Sequence, residues 1–133
     1  MGAPAAVKGS SVVGVDVHIV MVPTPGGPVP TPLPHPFSGS IDGGTIGTVK
    51  IGGQPAAVAG STATNSPSHL PTPPGTSFQK PPANKGTVLR GSATVTIGGK
   101  PAARAGDPVT TCNDPADAPV GSIVAAGTVL VGG

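Results

Sequence analysis

Two stretches of sequence decide the fold: TVKIGGQPAAVAG at residues 48–60 and TVTIGGKPAARAG at residues 94–106. They align at an offset of 46, and 11 of the 19 positions from residue 48 to 66 match their counterparts from 94 to 112. A shorter third copy, TVLVGG, occupies residues 128–133. Repetition at tens of residues indicates a small supersecondary unit that buries its apolar face against its siblings. We therefore expect repeat units at residues 41–66, 87–112 and 121–133.

Each copy predicts a short β-hairpin. Val49 and Ile51 alternate with polar residues and share one strand face, as Val95 and Ile97 do in the second copy. The Gly-Gly pair that follows suits a tight hairpin turn, and the Pro-Ala-Ala segment supplies a return strand of small side chains. Three such hairpins around an axis give a body with pseudo-three-fold symmetry.

The composition favours an all-β fold with almost no helix. The 133 residues include 22 glycines and 19 prolines, which interrupt any helical period, whereas valine, isoleucine and threonine suit strands. Glycine does not recur at every third position, so a collagen helix is excluded. The length fits a single domain over residues 1–133.

The N-terminal part predicts one long strand followed by a proline-rich loop. From Ser11 to Met21, the residues Val13, Val15, Val17, Ile19 and Met21 share one face, and Asp16 and His18 share the other. His18 is therefore not expected to be an ordinary core histidine. Residues 23–36 are half proline, which predicts an extended, polyproline-like loop outside any strand ladder. Residues 67–86 predict a second loop of this kind.

The only histidines and the only cysteine are His18, His35, His69 and Cys112. Three imidazoles and one thiolate can form a tetrahedral zinc site, and a closed site of four ligands is structural. Their spacing matches no zinc-finger pattern. The other interpretation is three solvated histidines and a buried free thiol.

Several function classes are disfavoured. The chain has no glutamate, its aspartates after residue 106 fall in turn-like stretches, and no phosphate-binding loop or protease signature is present, so we expect no enzyme. Seven scattered basic residues without tyrosine or tryptophan argue against nucleic-acid binding. No apolar stretch could span a bilayer and no signal peptide is visible, so we expect synthesis in the cytoplasm.

The phrase IGGKPAARAGD at residues 97–107 resembles the signature of the PAAR-repeat proteins, which cap the spike of type VI secretion systems and other contractile injection systems. The resemblance covers most of residues 11–133. It includes the DVH strand at residues 16–18, the PHPFSG turn at 34–39, both hairpins and the final TVLVGG. The first hairpin departs from the pattern, because Val58 and Ser61 stand where the second has Arg104 and Asp107.

The resemblance implies a small conical β-fold whose base sits on a trimeric VgrG-like spike, one tip per trimer, and aids membrane puncture. It implies one structural zinc ion, with iron as the runner-up, held by His18, His35, His69 and Cys112. The hairpin residues Val49, Ile51, Val95 and Ile97 would contact the spike, and effector cargo is a further partner.

We expect no domain after Gly133, no stable membrane insertion, and a protein made in the bacterial cytoplasm, assembled on the particle and delivered outside the cell or into target cells. The alternative is a free-standing β-repeat binding module of the adhesin type. A metal-carrying regulator is a third interpretation.

Overall fold

The all-β prediction is confirmed. The computed structural model describes residues 2–132, which contain strands and no helix. The strands are β1 (Ala3–Pro4), β2 (Ser11–Val22), β3 (Val29–Gly43), β4 (Ile46–Ile51), β5 (Gln54–Ala56), β6 (Thr62–Asn65), β7 (Ser77–Phe78), β8 (Lys85–Val88), β9 (Thr96–Ile97), β10 (Lys100–Pro101), β11 (Pro108–Thr111), β12 (Ala118–Val124) and β13 (Leu130–Val131).

Six of these strands form a closed antiparallel barrel. The strand order is β2-β3-β6-β8-β11-β12, and β12 pairs again with β2 to complete the circle. β7 adds to the far part of β2. Because a closed sheet has few free edges, short strands can stay paired in spite of the many glycines and prolines.

The two predicted hairpins are present, and a third is assembled from both ends of the chain. β4 pairs with β5 and β9 with β10 across Gly52-Gly53 and Gly98-Gly99, whose φ angles are all positive as such turns require. β13 pairs with β1, so that Pro4 opposes Leu130 as Pro55 opposes Lys50 and Pro101 opposes Thr96. The segment GAPAAVKGS at residues 2–10 is therefore the return strand that the third copy lacked.

Three alanines close a ring of hydrogen bonds around the pseudo-three-fold axis. Ala6 N–H donates to the Ala103 carbonyl, Ala103 N–H donates to that of Ala57, and Ala57 N–H donates to that of Ala6, each at 3.0 Å. All three side chains are buried. Only a small residue fits where three backbones approach this closely, which explains the alanines of the repeated Pro-Ala-Ala segment.

The same turn follows the ring in each unit. The side-chain oxygens of Ser10, Ser61 and Asp107 accept the backbone N–H three residues earlier, at 2.9–3.0 Å. Asp107 additionally pairs with Arg104 at 3.2 Å. Serine in the units of Ser10 and Ser61 therefore serves the turn as well as Asp107 does, and the departure from the repeat pattern leaves the fold intact.

The main core consists of three such symmetric triplets and one aromatic ring. The alanine ring is the first triplet. The second is Val12, Ala63 and Val109, and the third is Ile41, Val88 and Ile123; Phe37 completes the cluster. The pseudo-three-fold symmetry predicted from the repeats is therefore found in the hydrogen bonds and in the core alike.

The prediction for residues 23–36 was wrong from residue 29 onward. β3 begins at Val29, and its pairing with β2 runs without a break from Val22↔Val29 to Ser11↔Ser40. Its prolines stand at every second position, opposite β2 residues such as Val17, whose N–H and carbonyl bond to Asn113 and Asp114 instead. The prolines thus occupy positions where an N–H would face away from β2. Residues 30–36 lie outside the pairing of β3 with β6, so this edge of the strand tolerates proline.

The alternation along β2 was predicted correctly, but the buried side is the polar one. Asp16 and His18 are at most 1% exposed, whereas Val13, Val15 and Val17 are 39–53% exposed. The inward face of β2 begins with Val12 in the core and continues to the polar pair. Apolarity alone therefore did not predict which face lies inside.

A proline placed at a position of β3 that bonds to β2 tests whether the natural prolines all face away from β2. Thr31 lies opposite Val20 in a pair whose hydrogen bonds join the two strands. We expect Thr31→Pro to lower the free energy of unfolding by at least about 1 kcal/mol, because it removes a ladder hydrogen bond. Thr31→Ala is the matched control, and denaturant unfolding is the measurement. Equal stability of the two variants would contradict the assignment of proline positions.

Candidate metal centre

Three separate segments bring the four candidate ligands together. Asp16 and His18 project inward from β2, because residues two apart on a strand share a face. His69 comes from the long loop between β6 and β7, and Cys112 directly follows β11. All four side chains are buried.

The four side chains offer one ligand atom each within a small volume. These atoms lie within 4.8 Å of one another. His69 Nε2 is 2.8 Å from Asp16 Oδ2, and Cys112 Sγ is 3.5 Å from the same oxygen. His18 Nε2 lies 3.6 Å from Cys112 Sγ. His18, His69 and Cys112, which the sequence analysis proposed together, are therefore neighbours.

Asp16 is the centre of this cluster, and the sequence analysis did not include it as a ligand. Its carboxylate accepts hydrogen bonds from the Thr111 hydroxyl and from Asn113 Nδ2, besides its contacts with His69 and Cys112. Its ion-pair partners among residues 2–132 are the two imidazoles, with no lysine or arginine. A buried carboxylate in such surroundings favours a nearby cation.

His35 is adjacent to the cluster, but its nitrogens are engaged elsewhere. Its ring centroid is 5.4 Å from that of His18 and 5.6 Å from that of His69. Nδ1 bonds to the Leu33 carbonyl at 2.8 Å, and Nε2 accepts the Thr72 N–H at 3.2 Å. Burial lowers the pKa of His35, which favours a neutral imidazole.

The two phenylalanines of the chain pack against the histidines. Phe78 lies 5.3 Å from His35 and 5.9 Å from His18 between ring centroids, and Phe37 lies 6.3 Å from His69. The aromatic rings of the protein thus surround the cluster. They fix the orientation of the imidazoles and exclude water, which strengthens electrostatic interactions with a bound ion.

A second set of side chains holds the loop that contains His69. Asn84 Oδ1 accepts the His69 backbone N–H at 2.8 Å and Asn65 Nδ2 at 3.0 Å. Asn84 has a φ of 56°, a conformation that asparagine tolerates better than most residues. These contacts could not be predicted from the sequence, since they depend on how the loop folds back. Asp16 could have been identified from the sequence, because it lies two residues from His18 on one strand and therefore shares its face.

The donor set suits a borderline divalent metal ion. Imidazole nitrogen, thiolate and carboxylate are the ligands that zinc accepts in tetrahedral sites. His18 Nδ1 is a buried polar atom without a hydrogen-bond partner among the described residues. Burial raises the pKa of the Cys112 thiol, and a bound cation would favour the thiolate instead. The residues present therefore fit a structural metal ion.

Fold and site together define a small all-β protein that has three quasi-equivalent hairpins and a buried cluster of metal-type ligands. The PAAR motif family model matches residues 79–133, which contain β8 to β13 and Cys112. No curated protein matches the chain.

The family match over residues 79–133 confirms the resemblance to PAAR-repeat proteins that was stated from the sequence. The match supports a spike-tip role in a contractile injection system, and PAAR proteins are structural, metal-binding components of secretion machinery. Outside the matched residues, the hairpin of β4 and β5 repeats the arrangement of β9 and β10 within them. Residues 2–132 include no helical segment with the length and apolarity that a bilayer crossing needs.

The fourth ligand can be identified by comparing Asp16→Asn with His35→Gln. Asp16 already has an oxygen within the cluster, whereas both nitrogens of His35 are hydrogen bonded. We expect Asp16→Asn to weaken zinc binding more strongly than His35→Gln, by about tenfold or more. Competition with a chromophoric chelator measures both affinities.

Each outcome of that comparison assigns a ligand set. Both variants keep side chains of similar size, so metal-free thermal unfolding shows whether either one perturbs the fold itself. A larger loss of affinity in His35→Gln would contradict the geometric grouping. It would favour the set of three histidines and one cysteine that the family resemblance implies.

Proposed function

We propose that this protein caps the trimeric, VgrG-like spike of a contractile injection system, with one copy per trimer. The main support is the set of three quasi-equivalent hairpins, which a single chain offers to a partner that has three identical subunits. The PAAR motif supports the general role, and the capping geometry is our inference from the hairpins.

The proposed contact surface is the outer side of the three hairpins. Ile51, Val95 and Ile97 pack partly buried against a small cluster of Ala5, Ala102 and Val131. Val49 and its third-unit counterpart Val129 are 37% and 46% exposed. Val129 and Val131 thus extend the set of Val49, Ile51, Val95 and Ile97 to all three units. The surface is apolar and has short strand edges, both of which favour association with another β-structure.

The position of the ring separates this base from the metal centre. In each unit the chain runs from a hairpin strand through the alanine ring into a barrel strand, and the candidate ligands follow further along. From this chain order we infer that the base and the ligand cluster lie on opposite sides of the ring. We propose that the cluster forms the end directed at the target membrane during puncture.

A metal ion at that end would replace the large hydrophobic core that the chain lacks. It would join β2, the 66–76 loop and the segment after β11, which are distant in sequence. Structural zinc can contribute on the order of 10 kcal/mol to folding in small domains. Cross-linked in this way, the apex would resist local unfolding when the contracting sheath drives it forward.

We further propose that the protein acts mechanically rather than as an enzyme. It would be made in the bacterial cytoplasm, assembled on the particle and delivered with it, and it would offer a docking point for effector cargo.

Replacing two of the proposed metal ligands tests whether a bound metal ion stabilises the protein. We expect elemental analysis of the purified protein to find about one zinc per chain, and the His69→Ala/Cys112→Ala variant to lose both the metal and thermal stability. A chelator should lower the melting temperature of the natural protein and leave that of the variant unchanged. If the natural protein were as stable without metal as with it, the proposed stabilising role of the metal ion would be contradicted.

A charge at the base tests the capping surface. Val95→Asp and Ile97→Asp would each place an unpaired carboxylate in an apolar contact, which costs several kcal/mol when it is buried by a partner. We expect either variant to abolish co-purification with the spike trimer.

The matched control for this test is Val15→Asp on the exposed face of β2, where the side chain is 53% exposed and remote from the base. This variant should bind the trimer as the natural protein does. Normal binding by a folded Val95→Asp variant would exclude the base as the contact surface.

A further inference from the structure

Asp114 is fastened to β2 on both sides of His18. Its backbone N–H donates to the Val17 carbonyl at 2.8 Å, and its Oδ2 accepts the Ile19 N–H at 3.0 Å. These two bonds belong to the residues immediately before and after His18. The Asp114 carboxylate therefore has a fixed place beside the imidazole, although it follows β2 by almost a hundred residues.

The His18 ring lies between this carboxylate and the ligand cluster. His18 Nδ1 is 3.4 Å from Asp114 Oδ2. It is also the buried side-chain nitrogen that has no hydrogen-bond partner among the described residues. The opposite nitrogen, Nε2, points toward Cys112 Sγ at 3.6 Å and Asp16 Oδ2 at 4.0 Å. One edge of the ring thus faces the ligands, and the other faces a carboxylate.

We infer that Asp114 is a positioning residue for the metal ligand His18. A neutral imidazole has one N–H donor and one lone pair, and a metal needs the lone pair. A hydrogen bond from Nδ1–H to Asp114 Oδ2, which lies 3.4 Å away, would select the tautomer whose Nε2 lone pair faces the cluster and would fix the ring plane. Histidine ligands commonly use a carboxylate in this way.

This role differs from the turn that the sequence suggests for Asp114. An aspartate before a proline ordinarily serves a local turn, and its neighbour Asp117 is exposed. Asp114 instead bonds to residues of a distant strand and is only partly exposed. A purely structural role would require the bond to Ile19 N–H but not the carboxylate charge or its proximity to Nδ1.

Two measurements on Asp114→Asn and on the control Asp117→Asn test the inference. The asparagine can still accept the Ile19 N–H through its amide oxygen, whereas it is a weaker acceptor for Nδ1–H. Imidazole nitrogen chemical shifts in the metal-free protein report the tautomer. We expect His18 to hold its proton on Nδ1 in the natural protein and in Asp117→Asn, and to shift toward the other tautomer in Asp114→Asn.

Chelator competition then measures the consequence for zinc. We expect a 10–100-fold loss of affinity in Asp114→Asn and no loss in Asp117→Asn. A proton on Nε2 in the natural protein would overturn the inference without any variant. So would unchanged tautomer and affinity in a folded Asp114→Asn protein.

The inference rests on the proposed metal centre, but its failure is distinguishable from a failure of that centre. If the natural protein bound no metal, the proposal of a structural metal ion would fail. The tautomer measurement on metal-free protein would still decide the role of Asp114.

Discussion

The closed ring of hydrogen bonds among Ala6, Ala57 and Ala103 is the constraint on which the rest of the structure depends. Each alanine is both donor and acceptor, so no unit can leave without orphaning a buried backbone group in each neighbour. The ring also joins the three hairpins to the barrel strands that follow them in the chain. Cooperation of this kind allows a chain with 41 glycines and prolines among 133 residues to hold one structure, because little of its stability needs to come from local propensity.

Much of this fold could be predicted from the sequence because the repeats state it directly. The hairpins at residues 46–56 and 96–101 follow from alternation and from paired glycines. The third unit was recognised only in part, since its return strand stands at the other end of the chain, where residues 2–10 repeat the Gly-x-Pro-Ala-Ala pattern. The prolines of β3 misled the prediction for a physical reason. A residue in a strand directs its N–H toward one neighbouring strand only, so a proline prevents pairing on that side alone. Prolines at every second position therefore leave the opposite side of the strand free to pair.

The site was less predictable than the fold. Residue identity alone singled out His18, His69 and Cys112, which lie together in the structure. Asp16 and Asp114 were not singled out, because their roles depend on which face of β2 is buried and on a contact between residues far apart in sequence. The apolar side of β2 lies outside, so hydrophobic alternation indicated the strand but not its orientation. A buried polar face is stable only if its groups find partners, and a metal ion provides such a partner for several of them.

In the proposed complex, a single chain with internal three-fold repetition meets a partner with true three-fold symmetry. Native mass spectrometry of the complex with its spike tests this claim most directly, because it counts the chains of each kind. We expect one copy of this protein for three copies of the spike subunit. Three copies per trimer, or no complex with the isolated spike, would contradict it.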